Sequence, residues 1–152
     1  MPCVGQRYRY HKVTGQSWEL DVNPMEARRM EHGTKYEAEA LERFSSIYKV
    51  KLQKTGAIRP NCDEPWADRF LVSPDSVVVA GPDVDPNNLP VVEVKNPQFT
   101  THVRTLISGK CPENYIPQVK AEIMVTGAPY AYFISFHPFL PKAYQMIVCR
   151  VE

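Results

Sequence analysis

Apolar residues recur at two different periods along this chain, and the change of period marks its elements. Tyr36, Ala40, Leu41, Phe44 and Ile47 fall at helical spacing and predict a helix over Thr34 to Tyr48 with one inward stripe. A helix start is signalled earlier, at Asn23-Pro24-Met25-Glu26. Asn caps, Pro suits the first helical position, and Glu stands three residues after the cap. Gly33 is expected to interrupt or bend the stretch between them. Tyr48 to Ile58 alternates weakly through Val50 and Leu52, as a half-buried strand does. Arg69 to Val72, Ser76 to Ala80 and Val91 to Lys95 read as further strands, with a turn at Gly81 to Pro90. Phe99 to Glu113 fits either a loop or a short helix. Tyr115 to Thr126 is a second helix, closed by Gly127 where a C-terminal glycine is expected. Tyr130 to Phe136 and Ala143 to Val151 are the last two strands, joined by a turn at Pro138 to Lys142.

The order is helix, antiparallel strands, crossover helix, then two strands. It predicts an α/β fold with a central mixed sheet flanked by helices. Residues 1–22 form an arm whose apolar content is Tyr8, Tyr10, Val13 and Trp18, and residues 23–152 form the single core domain. Trp18 and Trp66 are expected to pack under loops.

Composition narrows the class. With 152 residues, 43% hydrophobic and 23% charged, the chain has material for a core and is not expected to be disordered. The longest apolar runs are too short to span a bilayer, and Met1 to Lys12 lacks the apolar stretch of a secretory signal. Cys3, Cys62, Cys111 and Cys149 are scattered without metal spacing, so reduced thiols and an intracellular setting are expected. The formal net charge of +1 argues against strong non-specific coating of nucleic acid. A local basic groove, offset by acids elsewhere, remains compatible with it.

The candidate chemistry begins with two misplaced acids. Glu93 interrupts the run Val-Val-Glu-Val, the pattern of a strand covered on both faces. A carboxylate there must be paired or bound to a cation. Lys95, two residues on, leaves the same face. If the Gly81–Pro90 turn makes a hairpin, Asp75 comes near Glu93. Glu37 lies four residues before Leu41 and seven before Phe44, at the end of the helix's buried stripe. Such carboxylates suit Mg2+ or Mn2+, which activate water and stabilise charge on a scissile phosphate. A lysine beside the ion positions or activates that water, or stabilises the transition state.

The wider pattern is more specific. Gly33-Thr34-Lys35-Tyr36-Glu37-Ala38-Glu39-Ala40 is followed by Ser73-Pro74-Asp75, then Val92-Glu93-Val94-Lys95-Asn96-Pro97, then Tyr115-Ile116-Pro117-Gln118-Val119-Lys120. In content, order and spacing this resembles the phage lambda exonuclease family, the YqaJ-like viral recombinases. Those are PD-(D/E)-x-K nucleases with a restriction-endonuclease-like core. The resemblance implies Mg2+-dependent cleavage of linear duplex DNA from its 5′ end, with Mn2+ as substitute. It also implies a single-strand annealing partner and a ring-shaped homotrimer. It assigns Asp75, Glu93 and the Val94 carbonyl to the metal, with Glu37 assisting. Lys95 is the catalytic lysine, and Gln118 orients the lysine or the water. Ser76 and Lys120 stand where the family often has Gly and Gln, and Met1–Val22 shows no clear counterpart of the segment that grips the terminal phosphate.

Thr100, Thr101 and His102 follow the Glu93 strand and are candidates for lining the substrate groove. Arg104, Lys110 and Lys120 are candidates for phosphate contact, and read equally well as solvated cations. His11, His32 and His137 read as surface or structural residues. The aromatic run from Tyr130 to Phe136 reads as core strand in preference to a stacking platform. An end-independent endonuclease of the same fold, a catalytically weak DNA-binding recombination module and a purely structural domain remain alternatives.

Overall fold

A computed structural model describes the backbone of residues 24–60, 62–63, 65 and 67–152. The arm at 1–22, the Asn23 cap and Trp66 lie outside the described residues. Helix α1 runs from Pro24 to Tyr48 without a break. Gly33 therefore sits inside the helix and does not interrupt it. Its backbone carries no positive φ, and no neighbouring atom crowds its missing side chain. The cost of a mid-helix glycine, about 1 kcal/mol, is outweighed by the packing of the turns that follow.

Five strands form one sheet in the order β1 (Lys51–Gln53), β2 (Ser76–Ala80), β3 (Val91–Lys95), β4 (Ala131–Phe136), β5 (Met146–Val151). All neighbours are antiparallel except β3 and β4, which run parallel. Parallel pairing requires a crossover, and the chain supplies it with two helices, α2 (Phe99–Ser108) and α3 (Ile116–Thr126). The ambiguous stretch after Phe99 is thus a helix, closed by Gly109 in the left-handed region. Gly127 closes α3 in the same way, its N–H donating to the Ile123 carbonyl at 2.9 Å.

One expected strand is absent. Ala67–Arg69 forms a 3-10 turn, and only Val72 pairs, in a lone bridge with Ile58. Phe70 and Leu71 are 42% and 57% exposed, so no sheet face covers them. A different constraint acts at Gly81, which follows β2. A Cβ there would stand 2.7 Å from Val50 Cγ1, so only glycine allows this close approach.

The sheet is covered on both faces. On one side Ala40, Leu41 and Phe44 of α1 pack on Val78, Val92, Val94, Ile134 and Phe136. On the other, Val119 of α3 joins Val77, Val91, Ala131, Phe133, Cys149 and Val151. This explains the continuous apolar reading of β3 and β4. It also confirms the aromatic run as core, since Phe133 and Phe136 are fully buried. Cys62, Cys111 and Cys149 are free thiols. Burial, then the neighbouring Cys149, pushes the Cys111 thiol up to about 11, so it is not a ready nucleophile. Among the described residues, no helix is long and apolar enough to cross a membrane.

Candidate active site

Strand alternation decides where the chemistry sits. Val92 and Val94 belong to the core under α1, and Val91 to the core under α3. Glu93 and Lys95 share the parity of Val91, so they leave the face covered by α3. The β2–β3 hairpin brings Asp75 to the same place. Ser76 pairs with Val92, which ends the ladder one residue after Asp75. The Asp75 side chain continues it: Oδ2 accepts the Val94 N–H at 2.7 Å. The Lys95 ammonium stands 2.5 Å from Glu93 Oε1, and the Glu93 side chain is 2% exposed. Lys95 Nζ also lies 5.9 Å from the Tyr115 ring centroid.

Tyr115 fixes the start of α3. Its ring stacks on Phe133 of β4 with centroids 5.4 Å apart, and a proline in the first turn suits the missing donor there. This anchors the first turn of α3 beside β3. Gln118 then donates from Nε2 to Glu93 Oε1 at 2.5 Å and to Glu122 Oε1 at 3.0 Å. Glu122 is 2% exposed and was not singled out from the sequence. A signal was available: Val119, Glu122 and Val125 are three residues apart, and all three are buried on one face of α3.

Burial and crowding set the charges. Burial, then the Glu93 charge, raises the Asp75 carboxyl from 3.8 to about 7, against the pull of the Val94 N–H. Glu122 is pushed up to about 8 by burial and by Glu93, although the Gln118 amide favours its charged form. For Lys95, burial disfavours the ammonium. The hydrogen bond and charge of Glu93, with Asp75 and Glu122 behind it, nevertheless hold its pKa above the usual lysine value. The oxygens Glu93 Oε2 and Glu122 Oε2 are buried and accept no hydrogen bond.

The remaining candidates are placed as follows. Glu37 is half-buried on α1 and pairs with Lys54 Nζ at 3.8 Å; its charge also raises Asp75. Glu39 and Glu42 are exposed, as surface acids are. Thr100, Arg104, Lys110 and Lys120 are exposed, while Thr101 is half-buried. His102 corrects the expectation. It is fully buried, with Nδ1 2.8 Å from Ser135 Oγ and Nε2 2.7 Å from the Tyr144 carbonyl oxygen, so it does not face a substrate groove. It ties α2 to β4 and to the turn before β5. Among the described residues, no three His, Cys, Asp or Glu side chains already surround a common point as metal ligands. In this arrangement the Lys95 ammonium and the Gln118 amide occupy Glu93 Oε1, and the Val94 N–H occupies Asp75 Oδ2.

An antiparallel hairpin followed by a helical crossover to a parallel strand, with Asp75, Glu93 and Lys95 converging beside it, defines a restriction-endonuclease-like α/β fold. Residues 7–129 match the YqaJ-like viral recombinase domain, and the chain belongs to that family. Its structure is similar to an alkaline exonuclease, LHK-Exo, from Laribacter hongkongensis, with a TM-score of 0.66 and 29% identity over 81% of this chain. The same exonuclease in complex with dAMP matches with a TM-score of 0.66 and 28% identity. The chain spans 57% of the length of each of those structures. No curated protein matches it.

Proposed function

We propose that the protein is a Mg2+-dependent deoxyribonuclease acting on linear duplex DNA, with 5′ to 3′ polarity, in recombination or DNA processing. One observation carries the reading: the buried Glu93 of β3 pairs with Lys95, and the half-buried Asp75, just before β2, is held beside them by the Val94 N–H, an arrangement whose burial costs stability. A purely structural pair gains little from that arrangement. Membership of the recombinase family and likeness to an alkaline exonuclease favour DNA as the substrate.

The residues present fit a divalent cation in kind. Asp75, Glu93 and Glu122 set three carboxyl groups against the one ammonium of Lys95, which leaves two formal negative charges when all are ionised. Two of the acids, Glu93 and Glu122, each keep an oxygen with no partner. Asp75 and Glu93, with the Val94 carbonyl, would hold the ion, and Glu37 would assist. Mg2+ there would supply a Lewis acid for water activation and would offset charge on the phosphate.

The chain's own groups do the rest. Lys95 keeps its proton and would donate from Nζ to the attacking water or to a phosphate oxygen. Asp75, fixed by the Val94 N–H, would give up its proton when the site takes its substrate and cation. Gln118 would orient Lys95 or the water through its amide. Arg104, Lys110 and Lys120, all exposed, would contact phosphates along the duplex. Thr100 and Thr101 lie at the start of α2, just beyond β3, and would border the groove. A single-strand annealing partner and a homotrimeric ring belong to the same proposal.

Digestion of end-labelled linear duplexes, with and without a 5′ phosphate, in Mg2+ or Mn2+ tests this reading. Release of label from the 5′ strand is expected, with closed circular duplex left intact. Cutting of the circle would assign an endonuclease instead, and no cleavage with either ion would remove the nuclease reading.

A further inference from the structure

We propose that Glu122 is a positioning residue for this centre, acting through the amide of Gln118; the inference rests on the nuclease reading above. Gln118 Nε2 carries two hydrogens, and both are used. One goes to Glu93 Oε1 at 2.5 Å, the other to Glu122 Oε1 at 3.0 Å. An amide has nearly the same shape with its oxygen and nitrogen exchanged, so its direction is set only by its partners. With a single carboxylate, rotation would cost one hydrogen bond. With two ionised carboxylates, the flipped amide would press its oxygen against two acceptors.

The direction has a consequence for Gln118 Oε1. The two carboxylates hold the nitrogen arm inside, against residues that are each 2% exposed. Gln118 itself is exposed. The carbonyl arm of the planar amide therefore faces the open side, where it can accept a hydrogen bond from water. A second observation argues that Glu122 is not there for packing. Its Oε2 is buried with no hydrogen-bond partner, as is Glu93 Oε2. Val119 and Val125 flank it on the same face of α3. A leucine would fill that face without the cost of a buried carboxylate. A carboxyl group at this position has a use only toward the groups it touches, and Gln118, whose amide donates to it at 3.0 Å, is exposed.

The test compares wild type, Glu122→Leu, Glu122→Gln, Gln118→Ala and the double variant Gln118→Ala/Glu122→Leu. Cleavage is measured on an end-labelled linear duplex at saturating Mg2+. Glu122→Leu is expected to lower kcat by about 10- to 100-fold with KM nearly unchanged and no fall in Tm, the size typical of an outer partner of a reactive group. Glu122→Gln keeps an acceptor for the Gln118 amide and should restore most of the activity. In the Gln118→Ala background the Glu122→Leu change should have no further effect, because its route is gone. A kcat unaffected by Glu122→Leu, or an effect that adds in full to that of Gln118→Ala, would overturn the proposal.

A readout independent of cleavage separates this inference from the nuclease reading. Both Gln118 side-chain amide protons should exchange slowly with solvent in 15N-labelled wild type, and one should become fast in Glu122→Leu. Fast exchange of both in wild type would overturn the clamp. Protected protons in a wild type that leaves every duplex intact would support the clamp and remove the nuclease reading alone.

Discussion

Asp75 Oδ2 accepts the Val94 N–H at 2.7 Å, so the residue before β2 closes the hydrogen-bond ladder of β3 with its side chain. The contact fixes the carboxylate whether or not it is charged. Asp75→Asn should therefore preserve it, since the amide oxygen can accept the same N–H. The variant should fold with a Tm no lower than wild type at neutral pH, because it removes an acid whose charged form is penalised by burial. It should lose Mn2+ binding in calorimetric titration, and its cleavage rate should fall about 100-fold or more. An unchanged metal titration would refute Asp75 as a ligand.

The raised acids predict how pH acts on the metal-free protein. Asp75 and Glu122 move from 3.8 and 4.5 to about 7 and about 8 on folding. The folded chain then holds protons that the unfolded chain has released. Their stabilising contribution is complete below the ordinary carboxylate values. It is lost as pH rises through about 7 for Asp75 and about 8 for Glu122. A cation held by Asp75 would expel that proton and, by its charge, favour release of the one on Glu122, so its affinity should climb across that window and level off above it. The Mn2+-induced rise in Tm should be larger at about pH 8.5 than at about pH 6. Equal shifts at the two values would contradict this, as would binding enthalpies that do not depend on the buffer's heat of ionisation.

Most of this architecture was legible because burial writes directly into the pattern. Ala40, Leu41 and Phe44 announce α1, and the apolar run around Glu93 announces a strand covered on both faces. The acid–lysine pair was legible because Glu93 breaks that run. Glu122 was not, because a glutamate in a helix is ordinary, and only its spacing from Val119 and Val125 separates it from a solvated one. His102 shows the opposite error. It lies beside residues that border the proposed groove, but α2 turns it inward against Ser135. The strand expected at Arg69–Val72 failed because β propensity counts only where a sheet face is available to cover it.

His102 should accordingly matter for stability and not for DNA. His102→Ala would leave Ser135 Oγ without its partner inside the fold, at a cost of roughly 1–3 kcal/mol in urea unfolding. Burial, partly opposed by the Tyr144 carbonyl, holds the histidine below its usual pKa. Its neutral form is the one that folds, so its contribution is present above the ordinary value of 6.5 and fades as pH falls through the lowered one. Duplex affinity of the folded variant should match wild type by fluorescence anisotropy. A variant of wild-type stability with weakened DNA binding would reverse this assignment.

Lys95 offers the sharpest test of the mechanism, because its stem and its charge can be separated. Its ammonium contacts Glu93 Oε1 while the side chain is 28% exposed, so it reaches both the buried acid and the open side. Lys95→Met keeps much of the stem's packing and removes the charge. Cleavage should fall by about 100- to 1000-fold, the scale for losing one donor to a developing anion. Duplex binding in Ca2+ should survive, since exposed cations such as Arg104 and Lys120 are untouched. Lys95→Arg should not rescue cleavage: the guanidinium is a planar fork too wide for a point contact with one carboxylate oxygen. Full Mg2+-dependent cleavage by Lys95→Met would show that the lysine serves only to neutralise Glu93, and the catalytic role would then have to lie elsewhere in the cluster.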